Sequence, residues 1–232
     1  MSSGGTRSDL GDRADFYLDI DSGWVLSPSL IASVEELCDN VEDTAADTAV
    51  VLRLGGSPND GGGPGDVGVH LVNKWERALR RLERLAAVTI AVADGDCSGV
   101  ALEALLSCDY RIGTPGLRLA LPVAAGEPWP GMVVHRLANQ LGVARARHLV
   151  LFGSAITGRR AVELGILDEL TEDVDFAVEA QTALARGLAG TELAIRRRLL
   201  MDATTTSFED ALGTHLAACD RTLRRASGES AR

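Results

Sequence analysis

The sequence predicts an α/β fold with a parallel sheet in the first half of the chain and helices in the second half. Short apolar runs of strand length alternate with stretches of helical apolar spacing up to Leu121, and such alternation is typical of parallel βαβ units. From Val133 onward the spacing is almost entirely helical. The chain has 232 residues, 46% of them hydrophobic, which is enough to bury the core of one or two domains.

The first predicted elements are a strand, a helix and a second strand. Residues 16–20 form a short strand that the polar turn at 21–23 closes. Ser27 and Pro28 predict a helix start, because serine accepts from free helix amides and proline has the φ that the first helical position needs. Apolar residues then recur at helical spacing, and residues 49–54 are an apolar run of strand length.

A glycine-rich loop at 57–68 separates this strand from the next helix. Asn73 predicts the start of that helix, because Glu76 follows it at the spacing of a capping box. Trp75 then begins an apolar face at helical spacing, as expected for a helix packed on a core. The remaining elements of this half are predicted as a strand at 88–93, a turn at 94–99, a helix at 100–107, strands at 110–113 and 117–121, and a loop at 123–131.

Helices dominate the rest of the chain, and the pattern divides the whole chain into three regions. Residues 1–14 are polar and lack apolar periodicity, which predicts a disordered tail. Residues 15–174 are predicted as the α/β core and residues 175–232 as a helical C-terminal region. The predicted helices are 133–140, 144–151, 159–164 and 175–188, with further helical segments to Arg225.

Composition and charge exclude several classes of function. The formal net charge of −10 disfavours a nucleic-acid binder, because such affinity depends on surplus Lys and Arg. The arginines at 196–198 and 224–225 are therefore expected on solvated helix faces. The four cysteines lie far apart without a C-x-x-C pair, so we expect reduced thiols and no metal site. No apolar run is long enough to span a membrane and the N-terminus has no apolar signal core, so a cytoplasmic location is expected.

The junction between the predicted turn at 94–99 and the following helix is the most informative segment. The first amides of a helix lack internal acceptors and carry the positive end of its dipole, so they can hold an oxyanion. Glu103 shares a helix face with Gly99 and Val100, and its side chain leans toward the helix start. An anion site beside a carboxylic acid suits chemistry in which one group polarises a carbonyl and the other moves a proton. The more ordinary interpretation is a glutamate that only favours the helix dipole, and spacing alone does not exclude it.

A second interpretation of the same segment makes Cys97 a nucleophile. Residues 95–99 fit G-x-C-x-G, a cysteine version of the nucleophile elbow on a strand–turn–helix unit. Such a site needs a histidine later in the chain, and His135, His148 and His215 are available. The helical second half argues against it, because an α/β-hydrolase places further βα units after the elbow.

Two loops could complete a site around Glu103. The glycine loop matches no nucleotide-binding motif, but the amide of Gly63 or Gly65 could supply a second oxyanion donor. Pro64 between them has no amide hydrogen, and a mobile surface loop is the plain alternative. Trp129 stands between two prolines in a rigid loop, where it either walls a pocket or packs on the core, packing being the commoner outcome.

Residues 88–151, with weaker matching on both sides, resemble the crotonase (enoyl-CoA hydratase/isomerase) superfamily. The stretch 89–95 resembles the family's strand and N-G turn, and residues 99–103 fall on its G-G-G-C-E segment. Residues 108–112 match C-D-x-R-I, and residues 151–153 with 161–168 resemble L-T-G…A-x-x-x-G-L-V. Pro130-Gly131 with 135–137 is similar to the family's P-G…R-L. Within the family the chain is most similar to the hydratase-like DpgB proteins of 3,5-dihydroxyphenylglycine biosynthesis.

The resemblance implies a crotonase-like spiral of ββα turns with a helical C-terminal trimerisation region. It also implies a homotrimer or hexamer and an acyl-CoA thioester as substrate, with no further cofactor. The family's first catalytic glutamate is carried onto Glu103, and the oxyanion hole onto the amide of Val100 and one amide of the glycine loop, from Gly63 or Gly65. The second family glutamate falls on Val123, which cannot transfer protons and is expected to line the pocket with Trp129.

We therefore expect a lyase that promotes dehydration and aromatisation of a polyketide-derived acyl-CoA towards 3,5-dihydroxyphenylacetyl-CoA in antibiotic biosynthesis. The missing second acid motivates an alternative, in which the chain is a non-catalytic accessory that binds a type III polyketide synthase or a sister crotonase. A hydrolase that uses Cys97 is a third hypothesis, and neither nucleic acid nor a membrane is an expected partner.

Overall fold

The protein is described here by a computed structural model, which covers residues 16–44, 48–56, 65–124, 126–188 and 190–227. The predicted tail at 1–14 and the glycine loop from 57 to 64, with Gly63, lie outside the described residues. In chain order the elements are β1 (Phe16–Asp21), α1 (Pro28–Glu42), β2 (Ala49–Gly56), α2 (Val69–Leu82), β3 (Val88–Cys97), α3 (Gly99–Leu105), β4 (Tyr110–Gly113), β5 (Arg118–Leu119), β6 (Val123–Ala124), β7 (Glu127–Pro128), α4 (Met132–Leu141), α5 (Val143–Phe152), β8 (Ile156–Thr157), α6 (Gly158–Leu164), β9 (Glu169–Leu170), α7 (Val174–Arg186), α8 (Thr191–Asp202) and α9 (Phe208–Ala226).

A parallel sheet in the order β1-β2-β3-β4-β9 forms the centre of the fold. The end of β3 also pairs with β5, and β5 pairs antiparallel with β8. The predicted α/β class with a parallel sheet in the first half is confirmed, and so is the run of helices that follows.

Both faces of the sheet are covered, which explains why its central strands are apolar runs rather than alternating ones. Leu52 and Ala91 belong to the main core, which they share with helices α1, α2 and α3. Val51 and Ile90, one residue earlier in each strand, face a second cluster that contains Val178 of α7. α7 begins at the predicted end of the α/β core, and the division of the chain at 174 stays a prediction.

The start of α1 is confirmed at Ser27 and Pro28. The Ser27 side chain accepts a hydrogen bond from the amide of Leu30 at 3.2 Å, and Pro28 is the first helical residue. The predicted start of α2 at Asn73 is wrong, because the helix begins at Val69 with Gly68 as its N-cap. Apolar residues already pack on the core in the first turn of α2, and this burial outweighs the local capping signal.

The predicted turn at 94–99 is wrong in its first part, because β3 continues to Cys97. Gly95 bends the strand with a left-handed φ of +64°, and a Cβ on it would lie 2.6 Å from the carbonyl oxygen of Gly56 on β2. Beyond Gly95, the end of β3 pairs with β5 at Asp96 and Cys97, and α3 begins shortly afterwards. Part of the loop predicted at 123–131 forms the antiparallel hairpin of β6 and β7.

The expectation that residues 196–198 all face solvent is wrong for Arg197, whose side chain is 6% exposed. Its guanidinium forms an ion pair with Asp109 at 2.5 Å and donates to the carbonyl oxygens of Leu85 and Ala87. These bonds connect α8 to the chain on either side of β3 and α3. No described helix has both the length and the apolar character needed to cross a bilayer.

We expect Arg197→Met to lower the free energy of unfolding by about 3 kcal/mol, because it removes the donor to the carbonyl groups of Leu85 and Ala87 and leaves the Asp109 carboxylate only its hydrogen bonds from Thr89. Urea unfolding measures this loss. Arg198→Met is the matched control, because the Arg198 side chain is 78% exposed in a helical ion pair, and it should change stability by less than about 0.5 kcal/mol. Equal effects of the two substitutions would contradict the role assigned to Arg197.

Candidate active site

The start of α3 presents main-chain donors inside the protein. Ser98 is the N-cap in an extended conformation, and its carbonyl oxygen accepts from the amides of Ala101 and Leu102. The amide of Val100 lies in this first turn and has no main-chain acceptor among the described residues. Gly99 enters the helix with a left-handed φ of +54°, which glycine adopts without strain. Every residue of α3 is buried, so these donors lie in a region of low polarity.

Glu103 lies one turn further along α3, and its side chain is inside the protein rather than on a solvated face. Only 6% of Glu103 is exposed. The indole Nε1–H of Trp75 on α2 donates a hydrogen bond of 2.6 Å to Glu103 Oε2. The other oxygen, Oε1, faces Gly131 at the start of α4. The interpretation in which Glu103 only favours the helix dipole does not account for its burial or for this hydrogen bond.

The surroundings of Glu103 bring its protonation equilibrium close to neutrality. The pKa of Glu103 is raised from 4.5 to about 7, and burial is the largest cause. The Trp75 hydrogen bond opposes this rise because it stabilises the carboxylate. Glu76 adds a further increase to the pKa, and Arg136 a decrease. A carboxyl group of this kind can both accept and donate a proton near pH 7, which is what general acid–base catalysis requires.

Trp129 and Glu103 both lie against Gly131, where the packing leaves no room for an added methyl group. A Cβ on Gly131 would lie 2.6 Å from Trp129 Nε1 and 3.1 Å from Glu103 Oε1. The main chain of Trp129 is fixed by a 2.7 Å hydrogen bond from its amide to the carbonyl oxygen of Pro122. The structure therefore brings together Glu103 and Trp129, two residues singled out in the sequence, with Val100 in the first turn of the same helix.

The other predicted site residues are placed differently. Val123 lies on β6, opposite Pro128 of β7, with 39% of its surface exposed, and its side chain has no group that could transfer a proton. Gly65 precedes α2 with a left-handed φ of +79°, and a Cβ on it would lie 2.3 Å from Cγ1 of Val25. Gly63 lies outside the described residues, so the second oxyanion donor stays a prediction.

Cys97 does not have the surroundings of a nucleophile. Its side chain is fully buried at the end of β3, and burial raises the pKa of its thiol, so the reactive thiolate is disfavoured. Each of the three candidate histidines lies on a later helix: His135 contacts Asn139, the His148 ring packs on Phe152, and His215 is exposed on α9. The structure thus argues against the Cys97 hydrolase.

Sequence reasoning missed the polar roles of Trp75 and Arg136. The sequence placed Trp75 on the apolar face of α2. Its indole N–H could have indicated a buried acceptor nearby, because a buried indole usually finds a hydrogen-bond partner. Arg136 on α4 is buried between Glu76 and Glu83 of the α2 region, and each ion pair measures 2.8 Å. This triad joins α4 to α2 beside Glu103.

Comparison with known proteins identifies the family. Residues 69–230 match the sequence profile of the enoyl-CoA hydratase/isomerase family. An enoyl-CoA-hydratase from Amycolatopsis orientalis is 45% identical over 213 residues, which span 92% of this chain and 98% of that protein. The chain therefore belongs to the enoyl-CoA hydratase/isomerase family.

Solved structures show the same fold. An enoyl-CoA hydratase from Mycobacterium smegmatis superposes with a TM-score of 0.74 at 16% identity, over 94% of this chain and 89% of that one. An enoyl-CoA hydratase/isomerase from Marinobacter aquaeolei gives a TM-score of 0.71 at 20% identity, over 86% of this chain and 83% of that one. The predicted crotonase fold is confirmed.

A substitution of Gly131 tests whether Trp129 and Glu103 lie against this glycine. We expect Gly131→Ala to displace the Trp129 indole and to lower the free energy of unfolding by about 1–3 kcal/mol through overpacking. The displacement should move the Nε1–H resonance of Trp129 in an NMR spectrum. Gly116→Ala is the matched control, because a Cβ there meets nothing within 4 Å. An unchanged Trp129 resonance in Gly131→Ala would show that the indole does not lie against this glycine.

Proposed function

We propose that this chain is an enoyl-CoA hydratase-like lyase that promotes dehydration and aromatisation of a polyketide-derived acyl-CoA towards 3,5-dihydroxyphenylacetyl-CoA in antibiotic biosynthesis. The observation that carries the proposal is the buried Glu103 carboxyl, poised near neutral pKa one turn from the open amide of Val100. Membership of the family supports an acyl-CoA substrate. The particular acyl chain and a reaction without a further cofactor are proposed from the sequence resemblance to DpgB proteins, and the cytoplasm is proposed as the compartment because the sequence has no apolar signal core.

In the proposed reaction, Glu103 first removes a proton from the carbon beside the thioester carbonyl. The electron pair moves onto the carbonyl oxygen, which the amide of Val100 and an amide of Gly63 or Gly65 would stabilise. When the enolate collapses, the bond between the β-carbon and its hydroxyl oxygen breaks, and Glu103 returns its proton to that oxygen. One water leaves, a double bond forms, and Glu103 is again a carboxylate, so a single acid completes the cycle.

Val123 in place of a second acid leaves Glu103 as the one carboxyl group for the proposed reaction, so we expect little activity on simple enoyl-CoAs. Hydration and dehydration of one substrate pass through the same transition state, so the direction depends on the stability of substrate and product. Dehydration of a cyclic polyketide is easier, because each lost water brings the ring closer to an aromatic product. The Trp129 indole beside Glu103 suits a planar ring better than a second charged group would.

The proposal predicts that Glu103→Gln lowers the rate of dehydration by about 10²–10⁴-fold, because the amide cannot transfer the proton. The assay reconstitutes the chain with a type III polyketide synthase and measures acyl-CoA products by mass spectrometry. Glu127→Gln, at an exposed position of β7, is the matched control and should keep full activity.

In the wild type, kcat/KM should fall as the pH drops through about 7, because the reaction starts from the carboxylate of Glu103.

The accessory function is the second candidate, and the absent second acid at Val123 favours it. In that case Glu103→Gln would leave the product profile unchanged, and the chain would co-purify with the synthase or with a sister crotonase. Full activity of the variant would therefore contradict the lyase proposal and support the accessory function.

We also propose a homotrimer or hexamer in which α9 contributes to the interface. In α9, which is described in full, no residue is buried, and four large apolar side chains are exposed: Phe208, Leu212, Leu216 and Leu223. Sedimentation equilibrium should give three or six times the 24.4 kDa of the chain. Leu216→Asp should reduce this mass, whereas the adjacent control His215→Asp should not; a monomeric wild type would contradict the proposal.

A further inference from the structure

The two oxygens of the Glu103 carboxylate have different surroundings, and this difference assigns them different tasks. Oε2 accepts the 2.6 Å hydrogen bond from Trp75 Nε1. Oε1 lies beside Gly131, next to the Trp129 indole. We propose that Trp75 is a positioning residue: it holds Oε2 against α2 and so presents Oε1 as the atom that exchanges the proton with the substrate. This inference rests on the proposed function of Glu103.

Packing alone does not explain a tryptophan at position 75. Trp75 is 1% exposed, and Leu79 and Leu82 on the same face of α2 fill the core with apolar groups only. A buried indole N–H without an acceptor costs about 1–3 kcal/mol, so an indole is favoured here only because Glu103 accepts from it. The benefit is mutual, since the carboxylate would otherwise be buried with no donor on Oε2 in the described contacts.

Trp75 also acts on the protonation of Glu103 together with two charged groups. Glu76 of α2 raises the pKa of Glu103, whereas Arg136 of α4 lowers it. The strands beneath α3 contribute no charge to this part of the core, where their described side chains are apolar: Val50, Leu52, Leu54, Ala91 and Ala93. The Trp75 hydrogen bond is therefore the contact that favours the carboxylate directly, and its loss should move the equilibrium toward the acid.

Measurement of the indole signals in the ligand-free wild type tests the hydrogen bond without an activity assay. The Nε1–H resonance of Trp75 should move as Glu103 titrates near pH 7, because the strength of the hydrogen bond depends on the charge of its acceptor. The same transition should be absent in Glu103→Gln. A Trp75 resonance that stays constant from pH 5 to 9 would overturn the inference, even if no variant of Trp75 folds.

Trp75→Phe then tests the positioning role, because phenylalanine keeps the aromatic core and removes only the donor. The midpoint of the kcat/KM profile should move to higher pH by about one unit, and kcat should fall about tenfold at pH 7, with KM changed less than about twofold. In a Glu103→Gln background the same substitution should cause no further loss, because Trp75 acts through Glu103. Leu79→Val is the packing control and should lower stability without moving the midpoint.

The possible outcomes separate this inference from the proposed function. A folded Trp75→Phe with the wild-type midpoint and kcat would overturn the positioning role while leaving the function of Glu103 intact. Full activity of Glu103→Gln would refute the proposed function, whereas the coupled titration of Trp75 and Glu103 would still be measured in the ligand-free protein.

Discussion

The Glu103 carboxyl group is buried in a helix whose residues are all buried, and one hydrogen bond makes this burial tolerable. A carboxylate without a donor in such surroundings would lose most of its solvation energy and remain protonated. Trp75 supplies the donor, and the nearby charges of Glu76 and Arg136 act on the pKa in opposite directions. The balance places the group where it can exchange a proton at neutral pH. The chemical interpretation of the molecule depends on that balance.

The fold positions this group through the backbone of β3 and α3. Gly95 allows β3 to pass against Gly56, so the strand bends, changes its pairing partner and ends at Cys97. Ser98 then caps α3, so the first amides of this helix directly follow the end of β3. Helix α2 carries Trp75, and the ion pairs of Arg136 with Glu76 and Glu83 fix α4, with Gly131 at its start, to the α2 region. Glu103 is thus enclosed by elements that are distant in sequence.

The parts of the structure that depend on local chemistry were predictable. The start of α1 at Ser27 and Pro28 and the alternating strands followed from capping and apolar spacing. Errors arose where distant contacts decide. Asn73 has the right chemistry for a cap, but α2 is extended past it by packing on the core. Arg197 belongs to a run of three arginines, and only the position of Asp109 across the fold makes it buried. The role of Trp75 was hidden for the same reason, since its acceptor is 28 residues away.

The central claim is that Glu103 and the start of α3 act on one bound carbonyl group. A crystal structure with a non-hydrolysable acyl-CoA analogue tests it most directly. We expect the thioester oxygen within about 3 Å of the Val100 amide nitrogen, and the carbon next to the carbonyl within reach of Glu103 Oε1. An acyl group bound away from α3, with Glu103 still enclosed and out of contact with the ligand, would contradict the account.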